Sequence, residues 1–137
     1  MFKTPVSALV LIHTEDLQVL IMERADKVGF WQSVTGSLEA GETPRQAAIR
    51  EVFEETGLHA ERYELQDWQV TNTYKIYPHW RYRYAPNVTT NVEHQFALVL
   101  PSTLPVQLAP DEHLQYAWVD WREAAQRVFS WTNVEAI

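Results

Sequence analysis

Apolar and polar residues are grouped along the chain in a way that predicts short strands on both sides of one long helix. Nearly continuous apolar runs favour buried strands, and turn-forming residues separate them. We expect such strands at Val6 to His13, Leu17 to Met22, Gln32 to Thr35, Val92 to Leu100 and Leu114 to Val119. Polar-aromatic segments at Leu65 to Thr73 and Arg81 to Tyr84 predict two further strands.

The long helix is predicted over Pro44 to Thr56, because both of its ends carry clear signals. Thr43 suits the N-cap, and Gln46 completes a Thr-x-x-Gln capping box with it. Pro44 suits the first helical position, and Gly57 supplies the left-handed residue that commonly ends a helix. This segment is therefore the best-defined element of the chain.

The order of the elements predicts the fold class. A second helix is expected over Trp121 to Phe129, and residues 131–137 allow a short third one. Strands, helix, strands and helix in this order favour an α/β sandwich, in which helices cover both faces of a mixed β-sheet. With 137 residues, the chain is expected to form one domain over residues 1–137.

Composition and charge restrict the classes of function. The chain has no cysteine, which excludes disulfides, a thiolate nucleophile and a zinc ribbon and suits the cytoplasm. Its net charge of −7 argues against a general nucleic-acid binder. The apolar N-terminal stretch is followed by Glu15 and Asp16, so we expect a strand there and neither a signal peptide nor a membrane span.

The long helix carries Glu51, Glu54 and Glu55 at positions i, i+3 and i+4, which lie on one face. Like charges at this spacing destabilise a helix by a few tenths of a kcal/mol per pair, and only Arg50 stands one turn from Glu54 to offset them. In an arbitrary sequence, such acids usually form a solvated helix face. A cluster of oxygen ligands without cysteine or a histidine pair also suits Mg²⁺, or Mn²⁺, bound together with a polyphosphate.

The spacing around these acids resembles the Nudix box. Gly36 is followed after five residues by Glu42, and seven more residues lead to Arg50-Glu51, then Glu54-Glu55, Gly57 and an apolar Leu58. The chain is identified on this pattern as a member of the Nudix family. The resemblance implies an α/β/α sandwich and metal-dependent hydrolysis of a phosphoanhydride bond.

The box residues suggest roles that the sequence does not separate completely. Glu51 and Glu55, one helical turn apart, can reach the same metal ion, and Glu54 is either a further ligand or the acceptor of a proton from water. We expect Arg50 to hold Glu54 in place, with a plain surface ion pair as the alternative. For Glu42, a structural and a functional role are equally compatible with the pattern.

Candidate residues outside the box are less specific. Taken alone, Glu112, in the loop before the last strand, would be a surface acid, and His113 receives no role. Arg81 and Arg83, in an aromatic segment, suit either a phosphate and ring site or a solvated strand edge. Some of the six tryptophans are expected to line a pocket for a flat ring.

The match extends over nearly the whole chain, through segments such as Phe30 to Ser37 and Glu112 to Leu114. It resembles the Nudix subfamily that hydrolyses dihydroneopterin triphosphate on the way to folate and is also described as acting on dATP. The resemblance implies Mg²⁺ ligation by Glu51, Glu55 and Glu112. It also implies substrate contacts from Lys3, Arg24, Thr35, Ser130 and, in a more loosely matching segment, Tyr74, Lys75, Ile76 and Tyr77.

Trp80, Tyr82 and Asn87 depart from the pattern of this subfamily, and these departures bear on which ring the substrate carries. Two alternatives therefore stay open. One is a pyrophosphohydrolase for dATP or another (deoxy)nucleoside triphosphate, with a role in cleaning the nucleotide pool. The other is a non-catalytic sensor of a nucleotide or pterin. In each case the expected partner is a small molecule and not a nucleic acid or membrane, and the expected state is a monomer or small homo-oligomer.

Overall fold

The computed structural model describes residues 2–137, which form one mixed sheet with helices on both sides. The strands are β1 (Val6–Thr14), β2 (Gln18–Arg24), β3 (Trp31–Gln32), β4 (Val34–Ser37), β5 (Glu64–Lys75), β6 (Thr90–Leu100) and β7 (His113–Asp120). The helices are α1 (Pro44–Thr56), α2 (Trp121–Arg127) and α3 (Trp131–Ala136). Short 3₁₀ helices span Ala60–Arg62 and Pro78–Arg83.

Strand β1 organises the sheet. It runs parallel to β6, from the pair Val6 and Val92 to the pair Thr14 and Leu100. Its other edge is shared by β2 and β4, both antiparallel to it. Strand β5 extends the sheet beyond β6, while β3 and β7 pair with β2. The mixed sheet predicted from the order of elements is confirmed.

Alternate residues of the sheet face two different helical layers, as the period of two in a strand requires. On one face, Val10 and Ile12 of β1 belong to a core with Ala48 and Val52 of α1. On the other face, Leu11 belongs to a second core that includes residues of β2 and α2. The α/β sandwich is therefore confirmed, with α1 on one side and α2 on the other.

Helix α1 has the predicted bounds, and its caps explain why. The Thr43 hydroxyl accepts a hydrogen bond from the Gln46 backbone N–H at 3.1 Å, and Gln46 Oε1 accepts one from the Thr43 N–H at 2.9 Å. Gly57 has a φ of 75° and donates its N–H to the carbonyl of Phe53 at 2.9 Å. Local signals at both ends fixed this element.

Two predicted strands need correction. Arg81 to Tyr84 is not a strand: Pro78 opens a 3₁₀ helix over Pro78–Arg83, with i to i−3 hydrogen bonds such as Tyr84 N–H to the Arg81 carbonyl. The single strand Gln32 to Thr35 is instead divided into β3 and β4, because the Ser33 N–H donates to Asn133 Oδ1 at 2.8 Å.

The second helix also ends earlier than expected. Helix α2 stops at Arg127, since Val128 adopts an extended conformation and pairs with Trp31 in an isolated bridge. The following residues form α3, which is the expected short third helix. Within residues 2–137, no helix is long and apolar enough to cross a membrane.

Candidate active site

Helix α1 brings two of its glutamates into the protein. The exposed fraction is 9% for Glu51 and 2% for Glu55, which lie one turn apart, whereas Glu54 is exposed. Glu51 lies against β4 at Gly36, where a Cβ atom would overlap the Glu51 carboxylate. The glycine is therefore required by the close approach of this carboxylate to the strand.

Arg50 connects α1 to the loop in front of it. It donates to both carboxylate oxygens of Glu42, at 2.7 and 2.9 Å, to Glu51 Oε1 at 2.7 Å and to the Ser37 carbonyl at 3.0 Å. Its contact with Glu54 is longer, at 3.1 Å. The expected contact between Arg50 and Glu54 is present, but the shortest bonds of Arg50 go to Glu42 and Glu51.

The role left open for Glu42 now has a structural component. Its hydrogen bonds from Arg50, which are the main cause, lower the pKa of Glu42, although partial burial opposes the shift. Glu42 Oε1 also accepts from the Glu39 N–H at 2.9 Å. Glu42 therefore fixes the guanidinium that in turn fixes Glu51.

A group of possible metal ligands lies where α1 meets the start of β7. Glu55, Glu112 and His113 each offer one ligand atom, and these atoms lie within 4.8 Å of one another. Within residues 2–137, nothing donates a hydrogen bond to the buried Oε1 of Glu55. Burial and the nearby carboxyl groups of Glu51 and Glu112 raise the pKa of Glu55 well above its ordinary value. A divalent cation would relieve this repulsion and satisfy the unpaired oxygen, so the residues fit such an ion.

His113 is a member of this group to which the sequence analysis assigned no role. Its Nε2 atom lies 3.8 Å from Glu55 Oε1 and 3.3 Å from Gln32 Nε2. Burial lowers the pKa of His113 to about 4, so the imidazole is neutral at neutral pH. A lone histidine is usually a surface or structural residue, so the sequence gives no reason to single out His113. Only the fold brings it close to Glu55.

Two cavities adjoin at this site and share part of their lining. One, of about 170 Å³, contains the three possible metal ligands Glu55, Glu112 and His113. The other, of about 450 Å³, extends away from them. Lys3, Arg24 and Thr35 line both. The two cavities therefore form one cleft, with cationic side chains where they join.

The larger cavity brings together every residue for which the sequence analysis predicted a substrate contact. These are Lys3, Arg24, Thr35, Tyr74, Lys75, Ile76, Tyr77 and Ser130. Two of them also have structural partners: the Tyr74 hydroxyl accepts from Asn91 at 3.2 Å, and Ser130 Oγ accepts from the Asn133 N–H at the start of α3. Their contacts with a substrate stay predictions.

Asp26 fixes the cations at the junction, and it was missed in the sequence. It accepts two hydrogen bonds from Arg24, both at 2.7 Å, and one from Arg83 at 2.7 Å. Trp80 donates to it at 3.2 Å, and the Arg24 guanidinium lies 4.2 Å from the centre of the Trp80 ring. These interactions hold the pKa of Asp26 far below its ordinary value, and the hydrogen bonds from Arg24 make the largest contribution, with a smaller one from Arg83.

Lys3 adds a third positive charge to the junction. Desolvation in the cleft and the charges of Arg83 and Arg24 lower the pKa of Lys3, whereas Glu51 and Glu112 raise it. The ammonium group thus lies between the arginines and the acidic cluster. The sequence analysis also considered Arg81 and Arg83 as a phosphate and ring site. Arg83 lines the cleft, whereas Arg81 is absent from the described lining residues.

Aromatic residues line the larger cavity and are absent from the described lining of the smaller one. Those in the larger cavity include Tyr77, Trp80, Phe129 and Trp131. The ring centres of Tyr77 and Phe129 are 5.8 Å apart, and those of Trp80 and Phe129 are 5.7 Å apart. Flat aromatic walls of this kind suit a planar ring. The cleft can therefore hold a ring at one end and a chain of phosphates that leads toward the acidic cluster.

Comparison with known proteins adds to this geometry. The NUDIX domain family matches residues 3–136. The chain is 48% identical to the dihydroneopterin triphosphate diphosphatase of Escherichia coli K12 over 139 residues, which cover 99% of this chain and 91% of that protein. It is 41% identical to the protein of that name from Haemophilus influenzae, with coverage of 99% and 87%.

Solved structures agree with the observed architecture. The structure of the E. coli dihydroneopterin triphosphate pyrophosphohydrolase superposes with a TM-score of 0.94 at 47% identity, covering 99% of this chain and 94% of that chain. A C. elegans Ap4A hydrolase gives a TM-score of 0.71 at 20% identity, with coverage of 96% and 90%. The second similarity concerns the fold alone.

Proposed function

This chain belongs to the Nudix family, and from that premise we propose that it hydrolyses dihydroneopterin triphosphate to dihydroneopterin monophosphate and pyrophosphate. It is a hydrolase that acts on a phosphoanhydride bond. Two relatives named for this activity match it over nearly their whole length, which supports the choice of substrate.

The cleft is the single observation that carries the proposal. Its acidic end can hold a cation, its aromatic end can hold a planar ring, and Lys3 and Arg24 lie between them. A triphosphate attached to a pterin has this order of parts. The net charge of −7 would repel such an anion unless local cations offset it.

We assign Mg²⁺ to the acidic end, held by Glu55 and Glu112 with Glu51 beside them. These are carboxylate oxygens, which Mg²⁺ prefers, and it commonly shares its coordination with water and phosphate oxygens. When bound, the ion neutralises charge on the phosphate oxygens and lowers the pKa of bound water. His113, whose neutral ring has one unprotonated nitrogen and lies beside Glu55, is available to complete this end of the cleft.

The remaining steps fall to side chains of the cleft. Lys3 and Arg24 bind phosphate oxygens, and Asp26 keeps Arg24 in a fixed orientation for this contact. Water attacks the α-phosphorus, and the bond between this atom and the bridging oxygen breaks as pyrophosphate leaves. We propose Glu54, the exposed carboxylate of α1, as the acceptor of the proton from that water. Arg50 positions Glu51 and does not need to touch the substrate.

A substrate panel with identification of the products tests the proposal. Purified protein with Mg²⁺ should release pyrophosphate from dihydroneopterin triphosphate with a higher kcat/KM than from dATP or other nucleoside triphosphates. In H₂¹⁸O, the label should appear in the monophosphate if attack is at the α-phosphorus. A clear preference for dATP would replace the proposed substrate by a nucleotide, and failure to release pyrophosphate from any of these compounds would favour a binding or sensor role.

A further inference from the structure

Glu93 is a buried acid in the cleft for which the reaction described above has no use. It lies on β6, its exposed fraction is 3%, and its Oε1 atom accepts no hydrogen bond from any described residue. Burial raises the pKa of Glu93 to about 7, although the Thr132 hydroxyl partly opposes the shift. Buried polar groups normally have partners, so an unpaired carboxyl oxygen inside a cavity suggests that a ligand supplies the donor.

Glu93 lies in the wall of the cavity that would hold the ring. Glu93 lines the larger cavity together with Tyr77, Trp80 and Phe129, but it does not line the smaller one with Glu55. In the parallel pairing of β1 and β6 it stands opposite Ser7, which also lines the larger cavity. Glu93 therefore belongs to the cavity with the aromatic walls and not to the one that contains the acidic cluster.

We propose that Glu93 selects the ring of the substrate by accepting two parallel hydrogen bonds from a ring N–H and the adjacent amino group of a 2-amino-4-oxopyrimidine ring. This inference rests on the proposed function, because a pterin carries that pair of donors. A planar pair of N–H groups matches the two oxygens of a carboxylate, as in bidentate arginine pairs. Adenine has an amino group beside a ring nitrogen that accepts, so an ionised carboxylate matches only half of its edge.

The variant Glu93→Gln tests this role because it changes the pattern of donors and keeps the size of the side chain. A glutamine amide has one acceptor and one donor, so it opposes one N–H of the pterin edge and complements the adenine edge. The ratio of kcat/KM for dihydroneopterin triphosphate to that for dATP should therefore fall by about 100-fold. A fall of at least about fivefold supports the proposal, and a smaller change overturns it.

Gln95 provides a matched control on the same strand. It is buried two residues farther along β6, its amide donates to the Thr132 carbonyl at 3.4 Å, and it is not among the residues that line the cleft. Gln95→Leu should leave the ratio of kcat/KM values within about twofold of the wild type, because Gln95 does not line the cleft and its amide bonds to the Thr132 carbonyl and not to the Thr132 hydroxyl beside Glu93. A shift equal to that of Glu93→Gln would assign the effect to general damage to β6.

A second measurement needs no variant and so does not depend on the folding of one. GTP presents the same pair of donors, whereas inosine triphosphate differs from GTP only in lacking the 2-amino group. The wild type should show a kcat/KM at least about tenfold higher for GTP, since a site built for an N–H group rejects an analogue without it. Equal values would overturn the role of Glu93.

These results also separate this inference from the proposed function. If the wild type releases no pyrophosphate from dihydroneopterin triphosphate, the proposed substrate is wrong, and the ring inference fails with it. If the wild type is active but Glu93→Gln lowers kcat/KM equally for the pterin and dATP, only the assignment of Glu93 fails. The wild-type substrate panel therefore tests the proposed substrate, and the ratio of kcat/KM values in Glu93→Gln tests the role of Glu93.

Discussion

Replacing Glu93 by Gln should make the free protein more stable than the wild type at pH 8, although it impairs ring recognition. The cause is the burial that raises the pKa of this carboxyl from an ordinary 4.5 to about 7. Between these two values the folded state binds more protons at Glu93 than the unfolded state does. The free energy of unfolding of the wild type must therefore decrease as the pH rises through this window.

The size of this effect follows from the two pKa values. The difference between about 7 and 4.5, at about 1.36 kcal/mol for each pKa unit, gives roughly 3 kcal/mol. Because Gln resembles the neutral acid in shape and charge, the variant should match the wild type near pH 4.5 and exceed it by about this amount at pH 8. The main cause is burial and not a neighbouring carboxylate, so this titration can be treated as independent of the acidic cluster.

Urea unfolding of Glu93→Gln and the wild type at intervals between pH 4.5 and 8, without metal, measures the difference directly, and for the control described next the series is extended to about pH 2.5. Glu23→Gln is a control of opposite sign, because hydrogen bonds from Gln115 and Gly29 lower the pKa of Glu23. That variant should be less stable than the wild type at pH 7, and its deficit should vanish as the pH falls well below 4.5. A difference between Glu93→Gln and the wild type that does not change with pH would refute the reasoning, since it would mean that Glu93 is not desolvated.

Other changes address the rest of the cleft. Glu55→Gln should lower kcat by several orders of magnitude, with an unchanged circular dichroism spectrum, because it removes charge from the acidic cluster. Gly36→Ala should lower kcat at least about tenfold by displacing Glu51, and unchanged turnover would show that this carboxylate can move without loss. Lys3→Ala should raise KM more than it lowers kcat if Lys3 only holds the substrate, and the reverse would place it in the chemistry. Asp26→Asn should raise KM at least about fivefold at low salt, as judged by initial rates, since it frees two arginines from their orientation.

Elements with local signals were predicted well, and elements that depend on distant contacts were not. Helix α1 has a capping box at one end and Gly57 at the other, so a short window of sequence contains everything that fixes it. The division between β3 and β4 depends on Asn133, which lies far along the chain and draws the Ser33 N–H out of the sheet. No local pattern at Ser33 reports that contact.

The same distinction applies to the cleft. The Nudix box identified Glu51 and Glu55 because the spacing along one helix places both acids on one side of it. Glu93 was missed as a candidate because its position depends on the parallel pairing of β1 and β6, which joins segments far apart in sequence. Glu93 lies in the polar first half of β6, beside Asn91 and His94, so nothing in the local pattern singles it out, and it becomes informative only when the cavity is known.

The spacing of the Nudix box in this chain corresponds to one connected set of contacts. Gly36 leaves room for the Glu51 carboxylate, Arg50 donates to Glu51 and to the Ser37 carbonyl, and Glu42 fixes Arg50 through two hydrogen bonds. Three of the box residues therefore position a fourth. Glu93 lies on β6, outside this set of contacts. A substitution there can therefore change which substrate ring is accepted without disturbing the acidic end of the cleft. Chains that share the box can accordingly share a reaction and differ in substrate.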